Sequence, residues 1–364
     1  MFDDFYRGTR VLVTGHTGFK GSWLGEWLLQ LGATVAGFSQ GIPTQPSHFD
    51  LLRLGDRLTH FDGDIRRLDD LQAAFDAFRP DVVFHLAAQA ITRLSYDEPK
   101  ATLDTNLGGT VNVLEAIRAT PSVRTAVLVS SDKCYENTGS EFGYRESDPL
   151  GGRDPYSASK ACAEIAFSAY ARSFFAAADA PAIASVRAGN VIGGGDWARD
   201  RIVPDCVRAW AAGETVSIRH PRAVRPWQHV LDPLSGYLQL GARLQRQREA
   251  LASEAFNFGP VAGSAHSVLA LVTEMGRAWP RAGWREAPAP DGDKPEAALL
   301  TLSSDKAAAR LQWRPTLAFP EAARLTAEWY RAFDESGHEA ATCTARHIAH
   351  FAALGRDRQQ SWAL

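Results

Sequence analysis

Along the first half of the chain, short apolar runs alternate with longer stretches whose apolar positions recur every three to four residues. The runs 10–14 (RVLVT), 34–38, 81–85 (DVVFH), 124–130 (RTAVLVS) and 182–187 predict strands. Between them, 21–31, 68–78, 99–118 and 155–175 predict helices. VLVT and VVFHLAA are apolar without interruption, as strands covered on both faces must be. Alternation of this kind predicts a doubly wound parallel α/β sheet.

Beyond residue 187 the pattern changes. Glycines cluster at Gly189 and Gly193-Gly194-Gly195, and a helix is predicted over 200–212. A basic segment, 219–225, precedes Trp227. A helix follows at 232–245 and a strand at 255–259 (AFNFG). The Pro/Gly/Asp-rich passage 280–295 predicts a surface loop, with helices after it at 303–311 and 320–333. The tail from Glu335 is polar. His338, His347 and His350 read there as solvated or local helix residues, without the partners a metal site needs. The change of pattern divides the chain into a sheet domain, 1–187 with returning segments near 226–259, and a smaller lobe of 188–225 and 260–364.

Composition narrows the class. The chain has 364 residues, 45% hydrophobic, enough for a substantial core in two lobes. Lys plus Arg total 39 against 42 Asp plus Glu, and a net charge of −3 offers nucleic acid no basic field. No run of about 18 apolar residues occurs, and residues 1–10 lack an apolar signal core. A soluble cytoplasmic protein with no membrane partner is expected. Cys134, Cys162, Cys206 and Cys343 form no CxxC pair and are expected as free thiols.

Strand 10–14 runs into Thr14-Gly15-His16-Thr17-Gly18-Phe19-Lys20-Gly21 and then a helix. In that context the GxxGxxG glycines let backbone approach a pyrophosphate at a helix N-terminus, where free N–H groups and the dipole favour anions. Asp64, near the end of the third strand, is placed either to bind an adenine amino group or to cap the helix that follows. The second strand ends Gly37-Phe38-Ser39-Gln40, with neither a carboxylate for a ribose 2′-hydroxyl nor an arginine for a 2′-phosphate. NAD against NADP stays open, with a loosely held NAD the better fit.

Two clusters carry reaction chemistry. Tyr156 and Lys160 are four apart on a predicted helix and share a face. An ammonium beside a phenol is expected to lower its pKa. Such a tyrosine takes a proton from a sugar hydroxyl while the carbon beneath loses hydride. Ser131-Asp132-Lys133 directly follows strand 124–130, at the carboxyl edge where such sheets bind ligands. It adds a second acid and a second base, which points to oxidation coupled to elimination. The alternative is a plain Asp132–Lys133 ion pair at the strand end.

In GHTGFKGSW (15–23), HLAAQ (85–89), SDKCYEN (131–137), DPLGGRDPYSASK (148–160), RAGNVIGGGDW (187–197), RPWQHVLDPLSGYL (225–238), FNFGP (256–260) and LQWRP…EWY (311–330), the chain resembles a known group. These segments are similar to the extended short-chain dehydrogenase/reductases and, within them, to the nucleotide-sugar dehydratases acting on CDP-glucose. Lys133 discriminates most, since relatives acting on dTDP-glucose carry Glu after the Asp.

The resemblance implies a Rossmann sheet with a smaller, mostly C-terminal α/β substrate-binding lobe, and NAD as cofactor. It assigns Gly15, Thr17, Gly18, Phe19, Lys20, Gly21, Asp64, Ile65, Leu86, Ala87, Ala88, Tyr156 and Lys160 to cofactor binding. The implied cycle has no net redox change. Tyr156 deprotonates the C4 hydroxyl as C4 is oxidised, and Ser131 bonds the C4 oxygen. Lys133 removes the C5 hydrogen, Asp132 protonates the leaving C6 hydroxyl, and C6 is then reduced to give CDP-4-keto-6-deoxyglucose. Lys160 binds the nicotinamide ribose and tunes Tyr156.

Arg225 and Asn190 match diphosphate contacts of the family. Arg201 and Arg219 are further substrate candidates, or exposed surface charges. Trp197 and Trp227 flank the base or sugar, or serve the core. Asn106 matches a family position that shapes its helix and a proton path, with a structural role equally open. Helices 99–118 and 155–175 would pair across a two-fold axis as a four-helix homodimer interface. A nucleotide-sugar epimerase or reductase would use Tyr156 but leave Asp132-Lys133 unexplained. A non-catalytic NAD(P)-sensing regulator would not need Tyr156 and Lys160.

Overall fold

The computed structural model describes residues 1–280, 282–287, 299–337 and 339–364. Seven strands form its main sheet: β1 (Arg10–Thr14), β2 (Thr34–Ser39), β3 (Thr59–Asp62), β4 (Val82–His85), β5 (Thr125–Val129), β6 (Ala182–Arg187) and β7 (Ala255–Asn257). Their order is β7-β6-β5-β4-β1-β2-β3, with every neighbouring pair parallel. The order reverses at the β1–β4 pair, so the loops leaving these strands part and open a crevice at the carboxyl edge.

The five strands β6, β5, β4, β1 and β2 each serve two cores. Val11, Val13, Phe84 and Val127 face one apolar cluster, while Leu12, Val83, Ala126 and Ile183 face the other. That double burial is why the runs are apolar without a break. The main helices of the chain are α1 (Phe19–Gln30), α2 (Leu68–Phe78), α3 (Pro99–Leu103), α4 (Gly109–Ala119), α5 (Pro155–Phe174), α6 (Ile202–Ala211), α7 (Leu231–Leu244), α8 (Val268–Gly276), α9 (Asp305–Leu311), α10 (Phe319–Ser336) and α11 (Ala340–Asp357).

Three local expectations need correction. The helix predicted over 99–118 is divided by a π-helical turn, Asp104–Gly108, into α3 and α4. Within the predicted loop 280–295, Trp284–Glu286 is a short strand paired with Val216–Ile218; residues 281 and 288–295 lie outside the described residues. Most of the tail is the helix α11, and of the two readings given for His347 the local helix residue holds, buried and not solvated. Its inward stripe (Ala340, Cys343, Thr344, His347, Ile348, Phe351, Ala352) is written largely in small and polar residues, which disguised a helical period. His350 is exposed, and His338 lies outside the described residues.

The C-terminal helices brace the segment after β6. The Trp329 ring of α10 packs where a side chain at Gly194 would sit. The Tyr330 hydroxyl donates to the Asp196 carbonyl, and Trp23 Nε1 of α1 donates to the Gly194 carbonyl at 2.8 Å. Among the described residues no helix is long and apolar enough to cross a membrane, and no cluster of His, Cys, Asp or Glu fits a metal ion. All four cysteines are free.

Candidate active site

The crevice opens into a cleft of about 1340 Å³. Its floor is the β1–α1 loop. Gly15 has φ +76°, and a Cβ there would stand 2.6 Å from the Ala87 nitrogen, so only glycine lets the two loops meet. Gly18 is the N-cap of α1 and supplies no side-chain cap, which leaves the first N–H groups of α1 for a ligand. Gly15, Thr17, Gly18, Phe19, Lys20 and Gly21 all line the cleft, as do Asp64, Ile65, Leu86, Ala87 and Ala88. A loop of this shape, with uncapped N–H groups at a helix start, fits a dinucleotide pyrophosphate.

Beside β2 and β3, Asp64 and His16 are held by neighbouring side chains. Both Asp64 oxygens accept from Arg66, at 2.5 to 3.0 Å, and this guanidinium holds the carboxyl below its ordinary value. Asp64 does not cap α2, whose N-cap is Arg67. His16 bridges Ser39 Oγ at 2.9 Å and His60 Nδ1 at 2.8 Å. Burial pushes it down to about 3, so the ring is neutral near pH 7.

The turn after β5 carries Ser131, Asp132 and Lys133. Ser131 Oγ accepts the Lys133 N–H at 3.2 Å and donates to Asp132 Oδ1 at 3.0 Å. Asp132 is buried against Gly189, where any Cβ would collide with its carboxylate. Asn190, held at φ 51°, aims Nδ2 at Asp132 Oδ2, 3.5 Å away. Lys133 is half-buried and lines the same cleft. Among the described residues its ammonium has no carboxylate partner, so the Asp132–Lys133 ion pair is not formed.

Tyr156 and Lys160 stand on the first turns of α5. Asp154 caps this helix by accepting the Ser157 N–H at 2.9 Å, Pro155 occupies its first position, and the Tyr156 N–H donates to Ser95 Oγ at 3.2 Å. The expected lowering of the phenol is not what the free protein shows. Burial pushes Tyr156 up to about 12, opposed by the Ser131 hydroxyl and reinforced by the Asp132 charge. Burial also pushes Lys160 down to about 8, against the pull of Glu164. Desolvation outweighs pairing because both side chains are more than nine-tenths buried. Lys20 is likewise pushed down to about 8, by desolvation and by Arg201.

At the far end Asn190, Trp197, Arg201, Arg219, Arg225 and Trp227 line the cleft. Arg201 is no loose surface charge, since it pairs with the buried Asp196 at 2.7 Å. Trp197 packs edge-on against Tyr330 and Phe333, and Trp227 Nε1 donates to the His266 carbonyl at 3.0 Å. Asn106 is the exception. It does not line the cleft; it sits in the π-turn, accepts the Gln89 N–H at 2.9 Å and donates to Ser159 Oγ at 2.9 Å. Its amide is spent on fixing the β4 loop to α5, one layer behind the site. Reading the sequence missed Asp196, His16 and Glu164. Only Glu164 left a signal, lying four residues after Lys160 on the same helix face.

With this geometry in place, similarity to known proteins is informative. The family model described as NAD dependent epimerase/dehydratase matches residues 11–259. A CDP-glucose 4,6-dehydratase of Salmonella typhimurium is 44% identical over 355 residues, covering 96% of this chain and 97% of its own. Among solved structures, UDP-glucose 4-epimerase of Thermus thermophilus, in complex with NAD, superposes with a TM-score of 0.73 at 28% identity, over 89% of this chain and 99% of that one. The dTDP-glucose 4,6-dehydratase of Bacillus anthracis, also in complex with NAD, shares the fold with a TM-score of 0.74 at 21% identity, over 90% and 98%.

Proposed function

The chain belongs to the NAD dependent epimerase/dehydratase family, and from that membership we propose that it converts CDP-glucose to CDP-4-keto-6-deoxyglucose and water. The observation that carries this reading is the meeting in one cleft of Tyr156, Asp132 and a Lys133 that has no carboxylate partner among the described residues. Oxidation alone or epimerisation needs only the first. The Salmonella typhimurium relative named for this activity supports it over nearly the whole chain.

NAD, when bound, supplies the hydride acceptor and donor of the cycle. The N–H groups at the start of α1 would hold its pyrophosphate, Lys160 its nicotinamide ribose, and Asp64 with Ile65 its adenine end. Tyr156 takes the proton of the C4 hydroxyl while Ser131 bonds the C4 oxygen. The C4 ketone acidifies the C5 hydrogen, which Lys133 removes as Asp132 gives a proton to the departing C6 hydroxyl. Asn190, beside Asp132, orients that acid. Arg225, Arg201 and Arg219 take the diphosphate, for which guanidinium forks are suited, and Trp197 with Trp227 bounds the sugar and base. Asn106 acts from behind, by fixing the loop and helix that carry these groups.

We assign the sheet domain 1–187, with its returning strand, to the cofactor and the lobe 188–225 with 260–364 to the nucleotide sugar. The protein is read as cytoplasmic and as a homodimer through α3, α4 and α5. Leu103 and Ile165, large apolar side chains exposed on these helices, support that interface. Sedimentation is expected to give a dimer, and a monomer would refute it.

The deciding test incubates the protein with CDP-glucose and NAD⁺ and follows the alkali-induced absorbance of a 4-keto-6-deoxy sugar nucleotide. Product is expected. No product from CDP-glucose, with conversion of UDP- or dTDP-glucose, would reassign the substrate.

A further inference from the structure

A second, small cavity shares Ser130 and Lys160 with the cleft. It measures about 20 Å³ and is lined also by His85, Glu164 and Ser185, which is room for one water. Two atoms of its lining residues are fully buried without a hydrogen-bond partner: Ser130 Oγ and Glu164 Oε1. The other carboxylate oxygen of Glu164 is taken, accepting from Ser185 Oγ at 2.9 Å and Arg187 Nη2 at 2.8 Å. His85 has nothing left to give, with Nδ1 bonded to Thr14 Oγ1 at 2.7 Å and Nε2 to Thr110 Oγ1 at 3.1 Å. An unmatched buried carboxylate oxygen is costly. The one cation among the cavity's lining residues is Lys160, a helical turn before Glu164 on α5.

We propose that one ordered water in this cavity joins the Lys160 ammonium to Glu164 Oε1 and Ser130 Oγ, and that Glu164 is thereby the positioning residue that keeps Lys160 charged and fixed beside Tyr156. The surrounding charges agree. Desolvation drives Lys160 toward its neutral form, and Glu164 is the largest influence opposing it, ahead of Cys134. The other groups that act on or beside Lys160 are Lys20 from α1, itself near Asp132, the neutral His85 from β4, and Arg187 from β6, already paired with Glu164 at 2.8 Å. Taking the charge from Glu164 therefore leaves Lys160 with cations nearby and little to balance them.

The test replaces that charge and keeps the shape. Competitive acylation of amines across a pH series, read by mass spectrometry on the peptide holding Lys160, reports its titration without substrate or cofactor. In Glu164→Gln, Lys160 is expected to titrate lower by about one pH unit or more, and the alkaline limb of kcat to move down with it. Ser130→Ala leaves the Glu164–Arg187 pair whole and is expected to move both in the same direction by less; it decides the matter if Glu164→Gln does not fold. An unchanged Lys160 titration in the folded variants overturns the proposal. So does a high-resolution crystal structure with no water within hydrogen-bonding reach of the three atoms. The kcat measurement rests on the dehydratase reading, whereas the labelling does not. Shifted labelling without turnover of CDP-glucose would sink that reading and leave this one standing.

Discussion

Burial acts on Tyr156 and Lys160 in opposite directions, raising the one and lowering the other. Near pH 7 the phenol, at about 12, holds its proton firmly, while the amine, at about 8, is charged but within easy reach of its neutral form. Of its neighbours, Ser131 favours ionisation of the phenol most. Tyr156→Phe is expected to lower turnover by about 100-fold or more, measured as release of keto sugar; an active variant would mean another group takes the C4 proton. Lys133→Ala separates the two halves of the cycle. C4 oxidation should persist, seen as a rise in reduced-cofactor absorbance in a single turnover, while loss of water stops. Normal turnover in that variant would remove Lys133 from its role as base. These residues were legible because their spacing is local: a triplet after a strand, and a pair four apart on a helix. Asp196 was not, since what makes it matter is the buried approach of Arg201, which no local spacing encodes.

At the scale of elements, α5 is the platform on which Tyr156 and Lys160 stand, and its start is fixed by Asp154. The Asp154 side chain accepts the Ser157 N–H at 2.9 Å and the Ser157 hydroxyl at 2.6 Å. Asp154→Ala is expected to destabilise the protein by about 1 kcal/mol and to lower kcat more than it raises KM, because the frayed turn carries the base rather than a substrate contact. A chemical denaturation curve with a steady-state assay reads both. Strand and helix positions were visible in the sequence wherever one period ran unbroken, as in β1, α2 and β6. The π-turn at Asp104–Gly108 was not, because one extra residue per turn leaves the apolar pattern nearly unchanged. Helix α11 escaped because Cys, Thr and His do the work of leucine on its inner face.

The whole molecule carries an unusual load of buried neutral imidazole. Burial pushes His16, His48, His85 and His229 down to about 3 and His347 to about 4, from an ordinary value of 6.5. Below about pH 6.5 the unfolded chain binds protons at these sites and the folded chain does not. Stability therefore falls with falling pH, by about 1.4 kcal/mol per pH unit for each such histidine. Asp232, pushed up to about 7 by burial, opposes them with one proton bound in the fold. The urea midpoint is expected to drop clearly between pH 7 and pH 5; an unchanged midpoint would show that these rings are not held neutral. The parallel, doubly wound sheet was expected from the alternation of runs, but its last strand has a further meaning. β7 follows β6 only after 67 intervening residues, yet it pairs with β6 along Ser185, Val186 and Arg187. A nascent chain leaving the ribosome thus holds β6 as an open sheet edge until residue 257 has emerged. The sheet is therefore closed only after the intervening 67 residues have been made, and a fragment ending at residue 187 would expose a sticky strand rather than form a smaller enzyme.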